Sequence, residues 1–437
     1  MAPGSTTRRP ATAFDLANGM RFIVAEDHAA PVVVAGFWVR AGVCDEPEDR
    51  RGIAHFMEHM MFRGSENLGP EEHSRRIERV GGDANAWTSF DATVYHDTVP
   101  SSALDEVFRL EADRFQRLAL TGEHTDVERK VVVEEVHVYN NQPFVRALRL
   151  VLEAVGQGHP YALDPLGREE DVSNVSTDDL EAFHRKCYRP DRVYAVVVGD
   201  VNRQRVEELA ERHFASWRPE GGRPQTVPVP PFVPRAGELA LRVPLQVPVT
   251  ARVHRVPRPD EVDRPALELL DRLLTSGRTS LIREALVEKG RLCVGAGAVL
   301  QKLLHGGVLA VFGAFMPPVN HGRRRRVMRE ICDRIAGEGP DPDRFARCIK
   351  QARRARALQE YDVPERMRLL GTAELLTEGF ETYARELDEL AAVTPERVRD
   401  LAAEVFAPAN TLELDITPEH MPWWMWPAGL LSRMLRR

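Results

Sequence analysis

The sequence predicts an α+β protein built of two homologous halves, each an α/β sandwich in which helices cover a mostly antiparallel sheet. Two observations carry this prediction. Strand-like apolar segments alternate with segments of helical period along all 437 residues, and their order in the first half returns in weaker form in the second. Between the halves, residues 216–237 hold six prolines without apolar periodicity, which is typical of an extended linker.

The first half opens with strand-like segments. An Asn18-Gly19 turn separates two of them, and a third, Val32–Val39, is expected to pair next to them in a meander. Residues Gly52–Arg63 have a helical pattern. A second helix, Glu71–Val80, is expected to stop at Gly81-Gly82, because glycine favours the end of a helix.

Strands and helices continue to alternate up to the linker. The stretch "NAWTSFDATVYHDTVP" at 85–100 predicts strands, and Ser102–Gln116 and Thr125–Tyr139 predict helices. The continuous apolar run "VYAVVVGD" at 193–200 predicts a buried strand, and a helix is expected directly after it.

The second half keeps the apolar positions of the first but not its histidines. The stretch "ELLDRLLTSG" at 268–277 takes the place of "HFMEHMMFRG" at 55–64, and "TLELDIT" at 411–417 takes the place of "VYAVVVGD". We therefore predict four parts: an N-terminal domain at 1–217, a linker at 218–237, a C-terminal repeat domain at 238–418 and a Trp-rich basic tail at 419–437.

Composition and charge exclude some classes of binding partner and of structural site. The apolar fraction of 43% is that of a globular protein, and the net charge of −7 provides no general basic field for nucleic acid. Five scattered cysteines without a CxxC pair argue against a disulfide framework and against a thiolate zinc site. The N-terminus has no apolar core of signal-peptide length, so we expect a cytoplasmic protein.

The tail contains three tryptophans and a closing basic run. It is too short to span a bilayer, and we expect it to pack against its own domain or against a partner subunit. Contact with a membrane surface is the alternative.

A possible metal site lies in the first helix. His55 and His59 are four residues apart, so on a helix both imidazoles project from one face, with Glu58 beside them. Two protein ligands are too few, because a catalytic zinc site has three and a water. A surface helix that happens to be rich in His and Glu is the alternative.

A third ligand is available from the helix "DVERKVVVEEVHVY". Glu128 and Glu135 are seven residues apart and share one face, whereas Glu134 points about 100° away. A site of two histidines and a glutamate lowers the pKa of a zinc-bound water to about 7. A free carboxylate beside that water, the place of Glu58, could take its proton and pass it to a leaving amine.

Several stretches together resemble one family. They are "GIAHFMEHMMFRGSE", "RRIERVGGDANAWTSFDATVYHDTVP", "ERKVVVEEV", "HPYALDPLGREEDV" and "FHRKCYRPDRVYAVVVGDV". In order and spacing they resemble the pitrilysin, insulinase and mitochondrial processing peptidase family of HxxEH zinc metallopeptidases, in its small-subunit bacterial form. The resemblance covers nearly all of residues 13–215 and, more loosely, 238–417.

The resemblance assigns roles to the metal site. It implies one Zn²⁺ per chain, held by His55, His59 and Glu135, with Glu58 as general base and Glu128 supporting the site from behind the ligands. The N-terminal domain would thus be the zinc-bearing peptidase domain, and the C-terminal repeat would be inactive.

The resemblance also assigns a substrate strand. Asn85, Ala86, Trp87 and Thr88 resemble the edge strand along which the substrate peptide pairs by β-augmentation. Asn85 and Ala86 would contact the peptide near the scissile bond, and Trp87 would form the wall of a side-chain pocket.

One part of the family pattern is missing. Relatives carry an Arg and, seven residues later, a Tyr that reach the site from the second half, but the matching positions here are Val287 and Val294. Neither valine side chain can donate a hydrogen bond. Arg291, three residues before Val294, is a weaker candidate to replace the missing donors. We therefore expect a heterodimer with a related zinc-free subunit that supplies the Arg and Tyr donors.

These features predict a zinc-dependent metalloendopeptidase that cleaves unfolded peptides or precursor segments through zinc-activated water. One alternative is a non-catalytic structural or partner subunit of a related complex, against which the intact metal motif argues. Another is a maturation protease that trims a single biosynthetic precursor by the same chemistry.

Overall fold

A computed structural model of the chain describes residues 10–219, 228–316 and 319–419. The chain divides into two compact units. The described parts of unit 1 belong to Met1–Val138, Leu163–Val229 and Arg356–Ala384, and those of unit 2 belong to the remaining segments. The predicted tail, apart from its first residue, and residues 220–227 of the predicted linker lie outside the described residues. The predicted division into four parts stays a prediction.

Each unit contains one β-sheet. The strands are β1 Ala11–Asp15, β2 Arg21–Glu26, β3 Val32–Val39, β4 Asp83–Thr88, β5 Thr93–Pro100 and β6 Val193–Gly199 in unit 1, and β7 Gly237–Val243, β8 Val249–Val256, β9 Cys293–Gln301, β10 Gly307–Phe315 and β11 Thr411–Pro418 in unit 2.

The strands of unit 1 have the order β1-β2-β6-β3-β5-β4, and all neighbours are antiparallel except β2 and β6. The predicted opening meander is therefore wrong, because β6 separates β2 from β3. All seven residues of β6 are buried. A strand that is apolar on both faces is most stable in the middle of a sheet that is covered on both sides.

The strands of unit 2 have the order β7-β11-β8-β10-β9, with β7 and β11 parallel and the other neighbours antiparallel. This order matches β2-β6-β3-β5-β4 strand for strand. The predicted repeat is confirmed, and so is the equivalence of β11 with β6. In each sheet, the counterpart strands β4 and β9 form an outer edge.

The helices confirm the predicted helical segments to within a few residues. They are α1 Ile53–Met60, α2 Glu72–Arg79, α3 Leu104–Gln116, α4 Gly122–Asn140, α5 Pro143–Gly156, α6 Glu169–Ser173, α7 Thr177–Cys187, α8 Arg203–Phe214, α9 Arg264–Thr275, α10 Leu281–Arg283, α11 His321–Glu338, α12 Pro342–Gln359, α13 Val363–Leu376, α14 Glu381–Ala392 and α15 Pro395–Val405.

Helices cover both faces of the unit 1 sheet. One face packs against α1, α3 and α8 in a large apolar core. The other face packs against α13, and two glycines allow the close approach: a Cβ on Gly36 would lie 2.4 Å from Sδ of Met367, and a Cβ on Gly371 would lie 2.2 Å from the Trp38 ring. Unit 2 has the same arrangement, with α9, α11 and α15 on one face and α5 on the other. Among the described residues, no helix has the length and hydropathy needed to cross a membrane.

Candidate metal centre

The position of α1 is fixed at its first turn. The helix follows Gly52, whose φ of 95° lies in the left-handed region, and a Cβ there would lie 2.7 Å from the carbonyl oxygen of Leu166. Oε1 of the buried Glu46 accepts a hydrogen bond of 3.1 Å from the N–H of Ala54. The helix that carries the predicted metal motif is therefore held in one register on the sheet.

The structure brings three predicted ligands together. His55 and His59 lie on α1 with ring centroids 4.6 Å apart, and their Nε2 atoms lie 3.8 and 3.4 Å from Oε2 of Glu135 on α4. In a tetrahedral zinc site with bonds of about 2.0 Å, neighbouring ligand atoms are about 3.3 Å apart. The spacing and the chemistry of these three groups fit zinc.

The electrostatic surroundings of the two histidines favour a cation between them. Burial, with the charge of His59, lowers the pKa of His55 to about 3, so this imidazole is neutral and keeps a lone pair for a metal. Burial opposes protonation of His59, but the hydrogen bond to Glu128 and the nearby carboxylates raise its pKa above the ordinary value. The carboxylates thus favour positive charge at the place where the ion would lie.

Glu128 occupies the position behind the ligands. Its Oε1 lies 2.8 Å from Nδ1 of His59, and its Oε2 accepts a hydrogen bond from Nε of Arg63. Burial would raise the pKa of Glu128, but the bonds from His59 and Arg63 lower it below its ordinary value. An ionised Glu128 leaves Nε2 of His59 as the nitrogen that faces Glu135. Sequence reasoning missed Arg63, which lies four residues after His59.

Glu58 lies beside the three ligands and is oriented by β4. Oε2 of Glu58 accepts a hydrogen bond from the Thr88 hydroxyl. Burial raises the pKa of Glu58, although the bond from Thr88 opposes the shift. A carboxyl group with a raised pKa is a better proton acceptor and donor near neutral pH. The sequence predicts Thr88 only as a substrate contact, and no local pattern indicates its bond to Glu58.

The predicted substrate strand lies at the edge of the sheet. Among the strands that the structure describes, β4 pairs with β5 alone, so its other side is an edge of the sheet. The N–H of Ala86 donates a hydrogen bond to Oδ1 of Asn85. Asn85 is exposed, and Ala86 packs against the core on the side of α1. Trp87 packs on the opposite face, where its ring meets the Trp38 ring edge to face. Binding of substrate by these residues stays a prediction.

The two valines that replace the expected donors belong to unit 2. Val287 lies in a short π-helical segment, Glu284–Glu288, and packs against the core of that unit. Val294 lies on the edge strand β9 and is 61% exposed. Arg291, between them, is exposed and has a positive φ of 48°.

A second group of potential ligands in unit 1 is explained without a metal. His73, Asp97 and Glu111 lie within ligand distance of one another and are buried. The buried Arg114 donates two hydrogen bonds of 2.7 and 2.5 Å to Glu111. Its guanidinium also lies 4.7 Å from the centre of the Tyr95 ring. The positive charge that this acidic group needs is therefore supplied by Arg114.

A helix that carries His55, Glu58 and His59 next to a sheet edge, with Glu135 from a second helix, defines a metallopeptidase of the inverted HxxEH class. Comparison with family models gives the family. Residues 21–167 match the model of Insulinase (Peptidase family M16), and residues 174–352 match that of the Peptidase M16 inactive domain. The chain belongs to peptidase family M16, and relatives in this family are named zinc proteases.

Individual relatives agree with this assignment. The chain is 31% identical to zinc protease PqqE of Helicobacter pylori over 285 residues, which are 63% of this chain and 64% of that protein. It is 28% identical to the mitochondrial-processing peptidase subunit beta of Lentinula edodes over 46% of this chain and 43% of that one. A crystal structure of a protease from Helicobacter pylori has the same fold, with a TM-score of 0.87 at 23% identity over 94% of this chain and all of that chain.

Proposed function

We propose that this chain is a zinc-dependent metalloendopeptidase that cleaves unfolded peptides or precursor segments. The observation that carries the proposal is the convergence of His55, His59 and Glu135, whose ligand atoms lie within 4.8 Å of one another. Glu58 lies next to them and is not needed as a ligand. The set thus provides three ligands and a separate base, which is what hydrolysis at a zinc site needs.

The side chains divide the work of hydrolysis. Zn²⁺, when bound, supplies the Lewis acid that polarises the peptide carbonyl and lowers the pKa of water. Thr88 donates to Oε2 of Glu58, and the Glu58 carboxylate accepts the proton of the attacking water and returns it to the leaving amine nitrogen. Glu128, with Arg63, keeps the ring of His59 in its ligating orientation.

The substrate is proposed to bind as an added strand. The free edge of β4 offers its N–H and C=O groups to an extended peptide, so the main chain supplies most of the affinity. Most main-chain groups of a folded protein are already paired within its own helices and sheets, so an unfolded peptide supplies an extended main chain more readily. This binding mode therefore favours unfolded peptides and exposed precursor segments.

The active form is proposed to be a heterodimer, with this chain as the zinc-bearing subunit. Val287 and Val294 leave no donor at the two positions where the family pattern has Arg and Tyr. A relative named as the beta subunit of a processing peptidase supports the pairing of two chains. Loss of one donor to a developing oxyanion costs about 2.7–4 kcal/mol in the activation barrier.

The central test of the proposed function is Glu58→Gln in the full chain. This variant is expected to keep its fold and its zinc but to cleave a peptide mixture at least about 10²-fold more slowly. Wild-type activity in the folded, zinc-loaded variant would rule out the assigned base. A wild-type protein that binds no zinc and cleaves no peptide would instead favour the alternative of a non-catalytic subunit.

The heterodimer is tested by purifying the chain alone and together with a related chain that carries the Arg and Tyr. Addition of the second chain is expected to raise kcat by about 10²–10³. Full activity of the isolated chain would contradict the need for a partner without affecting the metal site.

A further inference from the structure

One buried carboxyl group of unit 1 has no part in the proposed hydrolysis. Glu46 is 7% exposed, and its Oε2 has no hydrogen-bond partner in the part of the chain that the structure describes. The neighbouring Arg51 donates instead to the main-chain oxygens of Val43 and Glu46, at 3.4 and 3.2 Å. Burial raises the pKa of Glu46 to about 8, although the N–H groups of Gly52 and Ala54 oppose the shift. Burial of a carboxyl group without a counter-ion is unfavourable, which indicates a role other than stabilisation of the fold.

The other oxygen of this carboxyl group contacts the first turn of α1. Oε1 of Glu46 accepts the N–H of Ala54 at 3.1 Å. This N–H is one of the first groups of the helix, which have no acceptor within the helix itself. Ala54 directly precedes His55, and Glu58 follows one turn later. A shift of this turn would therefore move a candidate ligand and the candidate base together.

The segment that carries Glu46 is also bonded to the residues that follow β4. The N–H groups of Val43 and Cys44 donate to the carbonyl oxygens of Ser89 and Phe90, at 3.2 and 3.0 Å. The approach is close, because a Cβ on Gly42 would lie 2.3 Å from the Ser89 carbonyl oxygen. The segment thus connects the start of α1 to the end of the proposed substrate strand.

A second bond joins the same two elements. The hydroxyl of Thr88, the residue before Ser89, donates to Oε2 of Glu58. The helix is therefore held against the strand at two points, by Glu46 at its first turn and by Glu58 one turn later. Two points fix the tilt of a helix as well as its position, whereas one point alone leaves the tilt free.

We propose that Glu46 is a positioning residue, which fixes the spacing between α1, with its ligands and base, and the strand β4. This inference rests on the proposed function and adds a residue outside the set of ligands and base. Glu46 acts through α1 and is itself neither a ligand nor a base. Reacting groups that are misplaced by about 1 Å can lower a rate about 10²-fold, so a lost contact at the first turn should lower kcat.

The test removes the acceptor and then restores it. Glu46→Met keeps a side chain of similar length without an acceptor for Ala54. In the full-length chain, with any partner subunit that activity requires, it is expected to keep its zinc and to lose about 10–10²-fold in kcat, with KM nearly unchanged. Glu46→Gln keeps an acceptor oxygen. Because the pKa of about 8 leaves Glu46 mostly protonated at pH 7, Glu46→Gln is expected to have nearly the wild-type kcat.

The matched control is Asn202→Ala at the start of α8. The Asn202 side chain accepts the N–H of Arg205 at 2.8 Å, so this variant also removes a side-chain acceptor from the first turn of a helix in unit 1. It lowers stability through the lost cap. Since α8 carries no residue of the candidate site, wild-type kcat is expected. Denaturant unfolding and zinc content establish that each variant is folded and loaded.

A double-mutant cycle tests whether Glu46 acts through the spacing of α1 and β4. Thr88→Val breaks the second bond between these elements. If both bonds hold the same spacing, the double variant with Glu46→Met should lose much less kcat than the product of the two single losses. Independent effects would multiply instead.

The outcomes separate two failures. The positioning role is wrong, and the proposed function stands, if Glu46→Met loses no more kcat than Asn202→Ala, if Glu46→Gln fails to restore kcat, or if the losses in Glu46→Met and Thr88→Val multiply. If zinc-loaded wild type with its partner cleaves nothing, the proposed function fails, and the positioning role fails with it.

Discussion

The helices α1 and α9 occupy equivalent places in the two units but carry different polar residues. Helix α1 follows β3, and α9 follows β8, which is the counterpart of β3. Each helix buries an apolar face against its own sheet. When "HFMEHMMFRG" is laid over "ELLDRLLTSG", Glu268 and Arg272 of α9 take the places of His55 and His59 of α1. Nε of Arg272 lies 3.0 Å from Oε1 of Glu268.

This difference distinguishes the apolar residues that the fold requires from the polar residues that a metal site requires. In α9 the two polar positions neutralise each other as an ion pair one turn apart, so they need no third charge. In α1 two imidazoles face the carboxylate of Glu135, and these three groups could share a cation as ligands. Asp271 takes the place of Glu58, and burial raises the pKa of both carboxyl groups. The apolar positions preserve the fold, and the exchange of two polar residues distinguishes the candidate metal centre from a helix in which a Glu and an Arg pair with each other.

The largest expected effect comes from transferring the α9 pair into α1. The double variant H55E/H59R is expected to fold, because the apolar face of α1 is untouched, but to lose zinc and all measurable peptide cleavage. The loss should exceed the ~10–100-fold that removal of an outer partner costs in metal affinity or activity. Metal analysis and peptide cleavage provide the measurements.

The matched control for that exchange is E268Q/R272Q in α9. It is expected to keep wild-type zinc content and activity, since α9 is not part of the metal centre. If the H55E/H59R protein still bound one zinc per chain, the assignment of the ligands would be contradicted.

A second comparison concerns buried charge within unit 1. Arg114 and Glu111 on α3 are buried and joined by two hydrogen bonds. Arg114→Met leaves the Glu111 carboxylate without its partner and should lower the free energy of unfolding by about 3–5 kcal/mol. Denaturant unfolding measures this loss. The matched control is Arg109→Met, which breaks the more exposed pair with Glu106 at the same spacing and should cost ~0.2–1 kcal/mol.

The pH dependence of the Arg114→Met loss follows from Glu111. Burial raises the pKa of Glu111 to about 7, above its value of 4.5 when exposed. A raised pKa means that the folded state prefers the protonated form, and its advantage is lost as the pH rises through that range. The loss in Arg114→Met should therefore be smaller at pH 5 than at pH 8. An equal loss at both pH values would show that Glu111 is not the group left unpaired.

A smaller effect on zinc binding is expected from Glu128, which contacts a predicted ligand but is not one itself. Glu128→Gln removes the carboxylate at Nδ1 of His59 and the charge that Arg63 pairs with. Zinc affinity should fall about 10–100-fold, because outer partners orient and strengthen metal ligands. Competition with a chelator measures the affinity, and saturating zinc should restore much of the activity. Unchanged affinity would contradict the supporting role of Glu128.

The smallest effect is expected for the ion pair in α9. A double-mutant cycle with Glu268→Gln and Arg272→Gln should give a coupling energy of about 0.3–0.5 kcal/mol, as for other pairs one helical turn apart. Thermal unfolding of the four proteins measures it. A coupling of several kcal/mol would mean that α9 depends on its polar pair as strongly as α3 depends on Arg114.

The helices and the repeat could be predicted because their signals are local. Apolar periodicity placed Gly52–Arg63 and Glu71–Val80 close to the observed α1 and α2. The position of β6 between β2 and β3 could not be predicted in this way, because periodicity says nothing about which distant strands pair. For the same reason nothing in the sequence indicated that α13 covers the unit 1 sheet.

The candidate site shows the same limit. Helical spacing brought His55 and His59 to one face and kept Glu128 and Glu135 as equal candidates, since both lie on one face of α4. The structure distinguishes them, because Glu135 faces both imidazoles and Glu128 bonds the far nitrogen of one. The contacts of Arg63 and Thr88 depend on tertiary placement, so no local pattern could have identified them.

The central claim is that His55, His59 and Glu135 hold one zinc ion beside Glu58. X-ray absorption at the zinc edge on the purified full-length chain, together with metal analysis, tests it most directly. The account predicts one zinc per chain with nitrogen and oxygen ligands at about 2.0–2.2 Å, including two imidazoles, and the same spectrum in Glu58→Gln. A zinc content near zero, or sulfur ligands at about 2.3 Å, would contradict it.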